Sequence, residues 1–265
     1  MQYKYIDIHS HLNLSPLLEN AEALVVRMRE KGIGTITVGT DLATSQKAIE
    51  TAEQFPDIVV GATVGLHPND NEEEVFDMEK YRELAQSPKV VAIGECGLDY
   101  FRLPAGEKAA TVIGRQKELF KKHIELAVEL KKPLMLHCRP SKGTMDAYEE
   151  ALEILSEHQN LTCNFHFFVG DVSIAKKIVA QGWTVSFDGP ITFARDYDEV
   201  IKFLPLESLM AETDAPFAAP LPYRGKTCEP WMVEEVVKKI AEIKGESLET
   251  VQKVLLENAS RVFGL

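Results

Sequence analysis

The sequence predicts an α/β fold, a closed (β/α)8 or TIM barrel that forms one domain over residues 1–265. Runs rich in Val and Ile alternate with longer helical patterns eight times, which is typical of a parallel sheet. The length of 265 residues fits one barrel, which typically takes ~250 residues. The rival is an open doubly wound sheet, but the sequence lacks the glycine-rich phosphate loop that such a sheet shows after an early strand.

The elements follow one another without a linker or an internal repeat. The predicted strands lie at 5–11, 35–39, 58–66, 90–97, 133–139, 161–166, 183–187 and 209–214. The first helix has Ala21, Leu24, Val25 and Met28 apolar at helical spacing, and it ends at Gly32. The helices between strands are predicted at 17–31, 43–55, 73–86, 111–131, 145–158, 172–181 and 196–204. A long loop at 98–111 precedes the fourth helix, and two helices at 230–244 and 248–258 close the barrel over 230–258.

Composition and charge limit the classes of function. The chain is 45% hydrophobic and 26% charged, as is ordinary for globular proteins. No apolar run reaches roughly 18 residues and no charged-then-apolar leader precedes Tyr3, so we expect neither a membrane span nor a secretory signal. The net charge of −12 argues against a broad basic surface for long nucleic acid. It still allows a few phosphates to be bound in one metal-lined cleft.

The cysteines indicate a reducing compartment. The four cysteines lack the CxxC spacing of a structural zinc site and are too sparse for a disulfide framework. Two of them directly follow Glu95 and His137, so they face the opposite side of their strands, under the helices. We therefore expect buried free thiols and a cytoplasmic protein. The cysteines are Cys96, Cys138, Cys163 and Cys228.

Metal-ligand side chains recur at the carboxyl ends of the predicted strands, where barrels of this kind carry their catalytic residues. Five of the 7 histidines lie there. The other two, His123 and His158, fall within or at the end of helices, where solvated or capping roles suffice. The residues at the strand ends are His9, His11, His67, Glu95, His137, His166 and Asp214.

Strand alternation predicts that these side chains point into the barrel mouth. In the first strand Asp7, His9 and His11 share one face, and Ile6 and Ile8 share the other. The same alternation makes inward residues of Met135, His137, Asn164 and His166.

Converging imidazoles and carboxylates suit hydrolysis by metal-activated water. Two divalent ions about 3.5–4 Å apart can hold a shared hydroxide, clamp a phosphodiester and lower the pKa of bound water toward ~7. Glu95 and Asp214 are the candidate catalytic residues: Glu95 bridges the ions, and Asp214 also accepts the proton of the attacking water. The candidate metal ligands are His9, His11 and Asp214 for one ion, His137 and His166 for the other, and Glu95 for both.

Five motifs, in order along the chain, resemble those of the TatD-related metal-dependent deoxyribonucleases. They are His9-Ser10-His11, Gly65-Leu66-His67-Pro68, the Gly94 to Tyr100 segment, the Pro133 to Arg139 segment and Glu212-Thr213-Asp214-Ala215-Pro216. The similarity also includes the loop at 223–226 and the closing stretch at 258–265. The resemblance implies a TIM barrel of the metallo-dependent hydrolase type, divalent ions on the six ligands above and hydrolysis of DNA.

The sequence departs from this family pattern beside the site. Where the family usually has His-Cys-Phe-Ser-Gly, residues 166–170 read His-Phe-Phe-Val-Gly, so Val169 replaces a hydroxyl. Pro140 replaces the usual acidic residue after Arg139, and Cys228 replaces the usual Asn before Glu-Pro. These positions bear on the choice of substrate more than on metal binding.

Substrate contacts are predicted at the same end of the barrel. Arg139 shares the inward parity of His137, and a guanidinium there suits a phosphate. Tyr100 or its neighbour Phe101 can stack on a base. We expect His67 to contact substrate or a bound water rather than a metal. The candidate substrate contacts are His67, Arg139, Tyr100 and Arg224, with Arg102 and Lys226 on loops nearby.

Three hypotheses of function follow. The first is a deoxyribonuclease that cleaves DNA by attack of a metal-bridged hydroxide, acting on single-stranded DNA or ends because the chain has little basic surface. The second is a small-molecule amidohydrolase or esterase on the same two-metal barrel. Related barrels of that kind often use a modified lysine as the bridge between the ions, whereas this chain offers Glu95. The third is a metal-binding homologue without turnover, which the full ligand set disfavours. Imidazole-rich ligands suit Mn²⁺ or Zn²⁺ better than Mg²⁺, whereas the resemblance implies Mg²⁺ in nuclease assays.

Overall fold

The computed structural model describes residues 3–69, 75–158 and 160–265, in which eight parallel strands form one sheet in sequence order. The strands are β1 (Tyr5–Ser10), β2 (Ile33–Val38), β3 (Val59–Val64), β4 (Val90–Asp99), β5 (Leu134–Arg139), β6 (Cys163–His166), β7 (Thr184–Phe187) and β8 (Leu209–Ala211). Just after β8 the Asp214 N–H donates to the His9 carbonyl at 2.9 Å, and the His11 N–H donates to the Ala215 carbonyl at 2.7 Å. These bonds bring the last strand back to the first, so the predicted (β/α)8 barrel is confirmed.

Helices alternate with the strands and surround the barrel. They are α1 (Ala21–Lys31), α2 (Leu42–Gln54), α3 (Met78–Ala85), α4 (Glu107–Leu130), α5 (Asp146–Ser156), α6 (Val172–Ala180), α7 (Asp198–Phe203), α8 (Val233–Lys244) and α9 (Leu248–Phe263). α1 ends as predicted at Gly32, whose φ of 70° suits glycine. The predicted start of the third helix at 73 lies outside the described residues.

The predicted loop at 98–111 is shorter than expected. β4 continues to Asp99 because β5 offers pairing partners as far as Arg139. α4 already begins at Glu107. The residues that follow Glu95 are therefore partly strand, and their side chains keep a fixed direction relative to the barrel.

An apolar cluster fills the barrel interior below the site. Ile8, Met135 and Met210 come from three different strands, and Val262 and Phe263 of α9 pack against them. α9 thus covers the amino-terminal end of the barrel. The prediction that the last helix ends at 258 is wrong, since α9 runs to Phe263 in order to bury its final turn.

The cysteines behave as predicted. All four are free and buried, and they pack in the larger cluster between the sheet and the helices. Burial raises the pKa of the Cys96 and Cys163 thiols well above the ordinary value. None of the described helices combines the length and the apolar character needed to cross a bilayer.

Candidate metal centre

The first strand carries its two histidines past an irregularity in its pairing with β2. The register shifts between Asp7 and Ser10, and both of these residues contact the Thr35 hydroxyl, at 3.5 and 2.8 Å. Because both contact the same hydroxyl, Asp7 and Ser10 lie on one face of β1, whereas residues three apart lie on opposite faces of a regularly alternating strand. Ile8, which was predicted to face away from the site, packs inside the barrel. The prediction that Asp7 shares a face with His9, opposite Ile8, is therefore wrong, because a bulge resets the alternation.

Asp214 reaches the same place from the other side of the barrel seam. Its φ of 53° turns the chain just beyond β8, in a conformation that aspartate tolerates better than most residues. Its Oδ1 lies 3.6 Å from His9 Nε2 and 3.4 Å from His11 Nε2. Two residues of β1 and one from the end of the barrel therefore form a single group of donors.

Glu95 lies between this group and a second one. Its Oε2 is 3.3 Å from His9 Nε2 and 3.9 Å from His11 Nε2. Its Oε1 is 3.0 Å from His137 Nδ1 and 2.9 Å from His166 Nε2. One carboxylate therefore presents each of its oxygens to a different pair of imidazoles. The structure brings all six predicted metal ligands together at the carboxyl rim of the barrel.

The electrostatics of the centre are set by Glu95. Burial acts to raise the pKa of its carboxyl, but the imidazoles of His166, His67 and His9 outweigh burial and hold that pKa well below the usual range. Burial likewise acts to lower the pKa of His166, yet Glu95 and Glu212 raise it well above the usual value. Glu95 is thus a carboxylate anion, which is the form that binds a cation.

Divalent cations fit this arrangement of donors. The His9 ring is fully buried, and among the described residues neither of its nitrogens makes a hydrogen bond of regular geometry, although Nε2 lies 3.3 Å from Glu95 Oε2. Leaving a buried imidazole without a partner is costly, and a bound cation would satisfy one nitrogen. Imidazole and carboxylate are also the ordinary ligands of zinc and manganese. Three groups have ligand atoms within 4.8 Å of one another: His9–His166–Asp214, His9–His11–Glu95 and His67–Glu95–His137.

His67 lies beside Oε1 of Glu95, on a loop that is hydrogen-bonded to His123. His67 Nε2 is 3.5 Å from Glu95 Oε1, and its Nδ1 accepts a bond from the Asn69 N–H at 3.2 Å. The Leu66 N–H donates to His123 Nε2 at 2.9 Å. Burial lowers the pKa of His123 to about 4, so its ring is neutral and can accept this bond. The predicted solvated or capping role for His123 is therefore wrong.

Two carboxylates that are missing from the predicted site stand behind the histidines. Asp99 Oδ2 lies 3.0 Å from His137 Nε2. Glu212 Oε1 lies 3.3 Å from His166 Nδ1, and both carboxylates are buried. Each is an even number of residues from a predicted ligand on its own segment. Strand alternation puts such residues on one face, so this signal was present in the sequence.

Arg139 reaches the mouth of the barrel as predicted from its parity. Its guanidinium stacks over the Phe101 ring, 4.1 Å from the centroid. Arg224 also stacks on a ring, that of Phe193 at 4.1 Å, outside the residues that line the cleft. Substrate contact by either arginine stays a prediction.

Tyr100 does not face the site. Its side chain is 3% exposed, and its hydroxyl donates to the Glu150 carboxylate of α5 at 2.5 Å. Because β4 continues through the inward residue Asp99, the next side chain alternates outward into the cluster under the helices. The prediction that Tyr100 contacts substrate is therefore wrong.

A cleft of about 880 Å³ opens over the donors. Its floor includes every candidate ligand except the fully buried His9, and its walls mix cations with apolar groups. Val169, which departs from the family pattern, contributes to an apolar wall. The other apolar wall residues are Leu14, Leu103, Pro104, Val112, Phe167, Pro190 and Phe217, and the cationic ones are Arg102 and Arg139.

Fold and site together define a class of protein. A (β/α)8 barrel with histidines and carboxylates converging at its carboxyl rim is the architecture of a metal-dependent hydrolase. Comparisons with known proteins agree. YabD of Bacillus subtilis, an uncharacterized metal-dependent hydrolase, is 36% identical over 266 residues, covering 97% of this chain and 98% of that protein. The uncharacterized metal-dependent hydrolase TatD of Mycobacterium tuberculosis is 32% identical, covering 98% of each chain.

Structural similarity is equally extensive. The crystal structure of YJJV, a TatD homolog from Escherichia coli, matches with a TM-score of 0.89 at 27% identity and covers 100% of both chains. Residues 6–264 match the family described as TatD related DNase. The chain belongs to this family. It is a metal-dependent hydrolase, and its clusters of histidine and carboxylate groups are suited to binding divalent metal.

Proposed function

We propose that this protein is a deoxyribonuclease that cleaves the phosphodiester bonds of DNA. The observation that carries the proposal is the Glu95 carboxylate, whose two oxygens face two different pairs of imidazoles. A carboxylate in that position suits a pair of divalent ions, and paired ions favour displacement at phosphorus. Membership in a family described by its DNase activity supports the same reaction.

Two divalent ions are part of this proposal. His9, His11, Asp214 and Glu95 would hold the first ion, and His137 and His166, together with Glu95, would hold the second. When bound, such ions polarise a phosphoryl oxygen and lower the pKa of a coordinated water. Mg²⁺, Mn²⁺ and Zn²⁺ are the candidates, and the imidazole-rich ligand set favours Mn²⁺ or Zn²⁺.

The side chains of the chain have distinct tasks in this mechanism. Asp214 accepts the proton of the attacking water at its carboxylate. Burial acts to raise the pKa of Asp214, but its bond with His11 and the charges of His9 and His166 lower it. The carboxylate is therefore ionised and can accept a proton. Glu95 directs one carboxylate oxygen at each of the two pairs of imidazoles. Arg139 binds the negative charge of a phosphate as the DNA strand enters the cleft.

We propose single-stranded DNA, or the end of a strand, as the form that is bound. Glu95 is 4% exposed, so a phosphate must enter the cleft to reach the centre. A net charge of −12 leaves little surface to hold an intact duplex. We also propose that residues 1–265 act as one catalytic domain and, from the four free buried cysteines, that the protein is cytoplasmic.

The test is cleavage of end-labelled single-stranded DNA by protein loaded with Mn²⁺ or Mg²⁺, with and without a chelator. We expect metal-dependent cleavage that the chelator stops. Glu95→Gln should reduce the rate more than about 100-fold, because disturbing a group behind a metal ligand already costs about 10–100-fold. Asp57→Asn, which removes only an exposed ion pair with Arg29, is the matched control and should retain full activity.

Two results would contradict the proposal. One is metal-loaded wild-type protein that shows no chelator-sensitive cleavage, and the other is unchanged turnover by Glu95→Gln. A panel of esters, lactones and cyclic amides is assayed in parallel. Turnover of that panel in place of DNA would support a small-molecule hydrolase.

A further inference from the structure

We propose that Phe217 is a stacking platform for one nucleobase next to the scissile phosphate. This inference rests on the proposed nuclease function. It concerns the part of the substrate that metal ligands do not recognise, namely the base, and it assigns that recognition to a single side chain of the cleft.

Phe217 lies directly beside the first group of donors. Its N–H donates to the Asp214 carbonyl at 2.9 Å, which ties its backbone to a candidate ligand. Its ring is edge-on to the His11 ring, with 6.2 Å between centroids and 70° between planes. The ring is therefore one side chain away from the place where a phosphate would bind.

The exposure of this ring is not explained by packing. Phe217 is 58% exposed, whereas Phe168, two residues after His166, is fully buried. Single exposed apolar residues are common on protein surfaces. Among the exposed large hydrophobic residues of the described chain, however, Phe217 is the one that lines the cleft. An open aromatic face on the wall of a polar cleft is suited to stacking, since each base also offers a π-face.

Cationic groups lie at the other side of the centre. Arg139 is two residues beyond His137 on β5, so its Cα is about 6.6 Å further toward the mouth. Arg102 lines the same cleft. A single strand alternates bases with phosphates. With its scissile phosphate at the centre, it can place one neighbouring base on Phe217 and the next phosphate toward Arg139. Stacking of this kind is insensitive to sequence.

The substrates are DNA single strands in which one phosphodiester bond is normal and all other linkages are phosphorothioates. Three versions are compared: one with an abasic residue on the 5′ side of the normal bond, one with an abasic residue on its 3′ side, and one with both bases intact. KM and kcat are measured for Mn²⁺-loaded wild type, Phe217→Ala and Phe217→Trp. We expect loss of one of the two bases to raise the wild-type KM about 5- to 100-fold. Phe217→Ala should raise KM equally on the intact strand and show no further rise on that abasic strand. Phe217→Trp should restore the wild-type KM.

Phe203→Ala is the matched control, because Phe203 is a 40% exposed phenylalanine that does not line the cleft. If Phe217 only shields the His11 ring, Phe217→Ala will lower kcat by the same factor on intact and abasic strands, and the inference is overturned. Wild-type cleavage with an unchanged KM in Phe217→Ala also overturns it, while the nuclease proposal stands.

Fluorescence anisotropy of the same strands gives a readout without turnover. Wild-type protein that binds these strands but cleaves neither them nor the unmodified single strand overturns the nuclease proposal. The anisotropy then decides the stack by itself: weaker binding by Phe217→Ala than by Phe203→Ala supports it, and equal binding refutes it.

Discussion

Asp99 offers a sharp test of how the chain orients a metal ligand. Its Oδ2 lies 3.0 Å from His137 Nε2, while His137 Nδ1 faces Glu95. A carboxylate accepts the proton on Nε2 and thereby keeps the lone pair of Nδ1 directed at the centre. Asp99 is therefore a positioning residue. An asparagine in its place can donate to Nε2 and stabilise the wrong tautomer.

The change Asp99→Asn is expected to lower metal affinity about 10- to 100-fold, or roughly 1.4–2.7 kcal/mol. The fold should survive, because the backbone of Asp99 is held independently. Its N–H donates to Gln116 Oε1 at 2.9 Å, and its carbonyl accepts from Gln116 Nε2 at 3.0 Å. The apparent Kd for Mn²⁺ or Zn²⁺ is measured by competition with a fluorescent chelator, alongside circular dichroism. Asp57→Asn is again the control.

An Asp99→Asn variant that binds both metals within about twofold of wild type would refute this reasoning. An equal loss of affinity in Asp57→Asn would also refute it, since that carboxylate is at the surface and pairs with Arg29 rather than with any candidate ligand. The assay reads metal affinity directly, so it is independent of whether DNA is the substrate.

Two further predictions concern stability. Phe263→Ala removes a buried ring from the interior cluster and should lower the free energy of unfolding by about 3–5 kcal/mol in urea titrations. Leu265→Ala, at an exposed position, is the control and should change it little. Similar urea midpoints for the two variants would contradict the role of α9. The pKa of His123 is about 4 in the folded state, below its ordinary value of 6.5. Its contribution to stability is thus complete above pH 6.5 and is lost as pH falls toward 4, by about 3 kcal/mol in all. His123→Gln, whose carbonyl can still accept from Leu66, should flatten this pH dependence, and identical pH profiles would exclude the assignment.

Several features of the site were predictable because strand alternation is a local property. On β5 and β6 the pattern places His137 and His166 inward with Met135 and Asn164, and the structure agrees. Asp99 was equally accessible, since it is four residues beyond Glu95 on a strand. It was missed because the strand was predicted to end at 97.

Other features depend on residues that are distant in the sequence. The bulge in β1 arises from pairing with β2, so no local pattern reveals it. Tyr100 faces outward because β5 extends the pairing of β4. The burial of His123 depends on α4 packing against Phe76 and on the loop that carries Leu66.

The sequence by itself determined the class of fold and the rim at which the chemistry gathers. Chain direction forces the carboxyl ends of parallel strands to one edge, and a period of two selects the side chains that point inward. Only the tertiary structure decided which oxygen of Glu95 faces which imidazoles, and that Phe217 stays open to the cleft. Both depend on distances between side chains at least 42 residues apart in the sequence, which are set by barrel closure and not by any local preference.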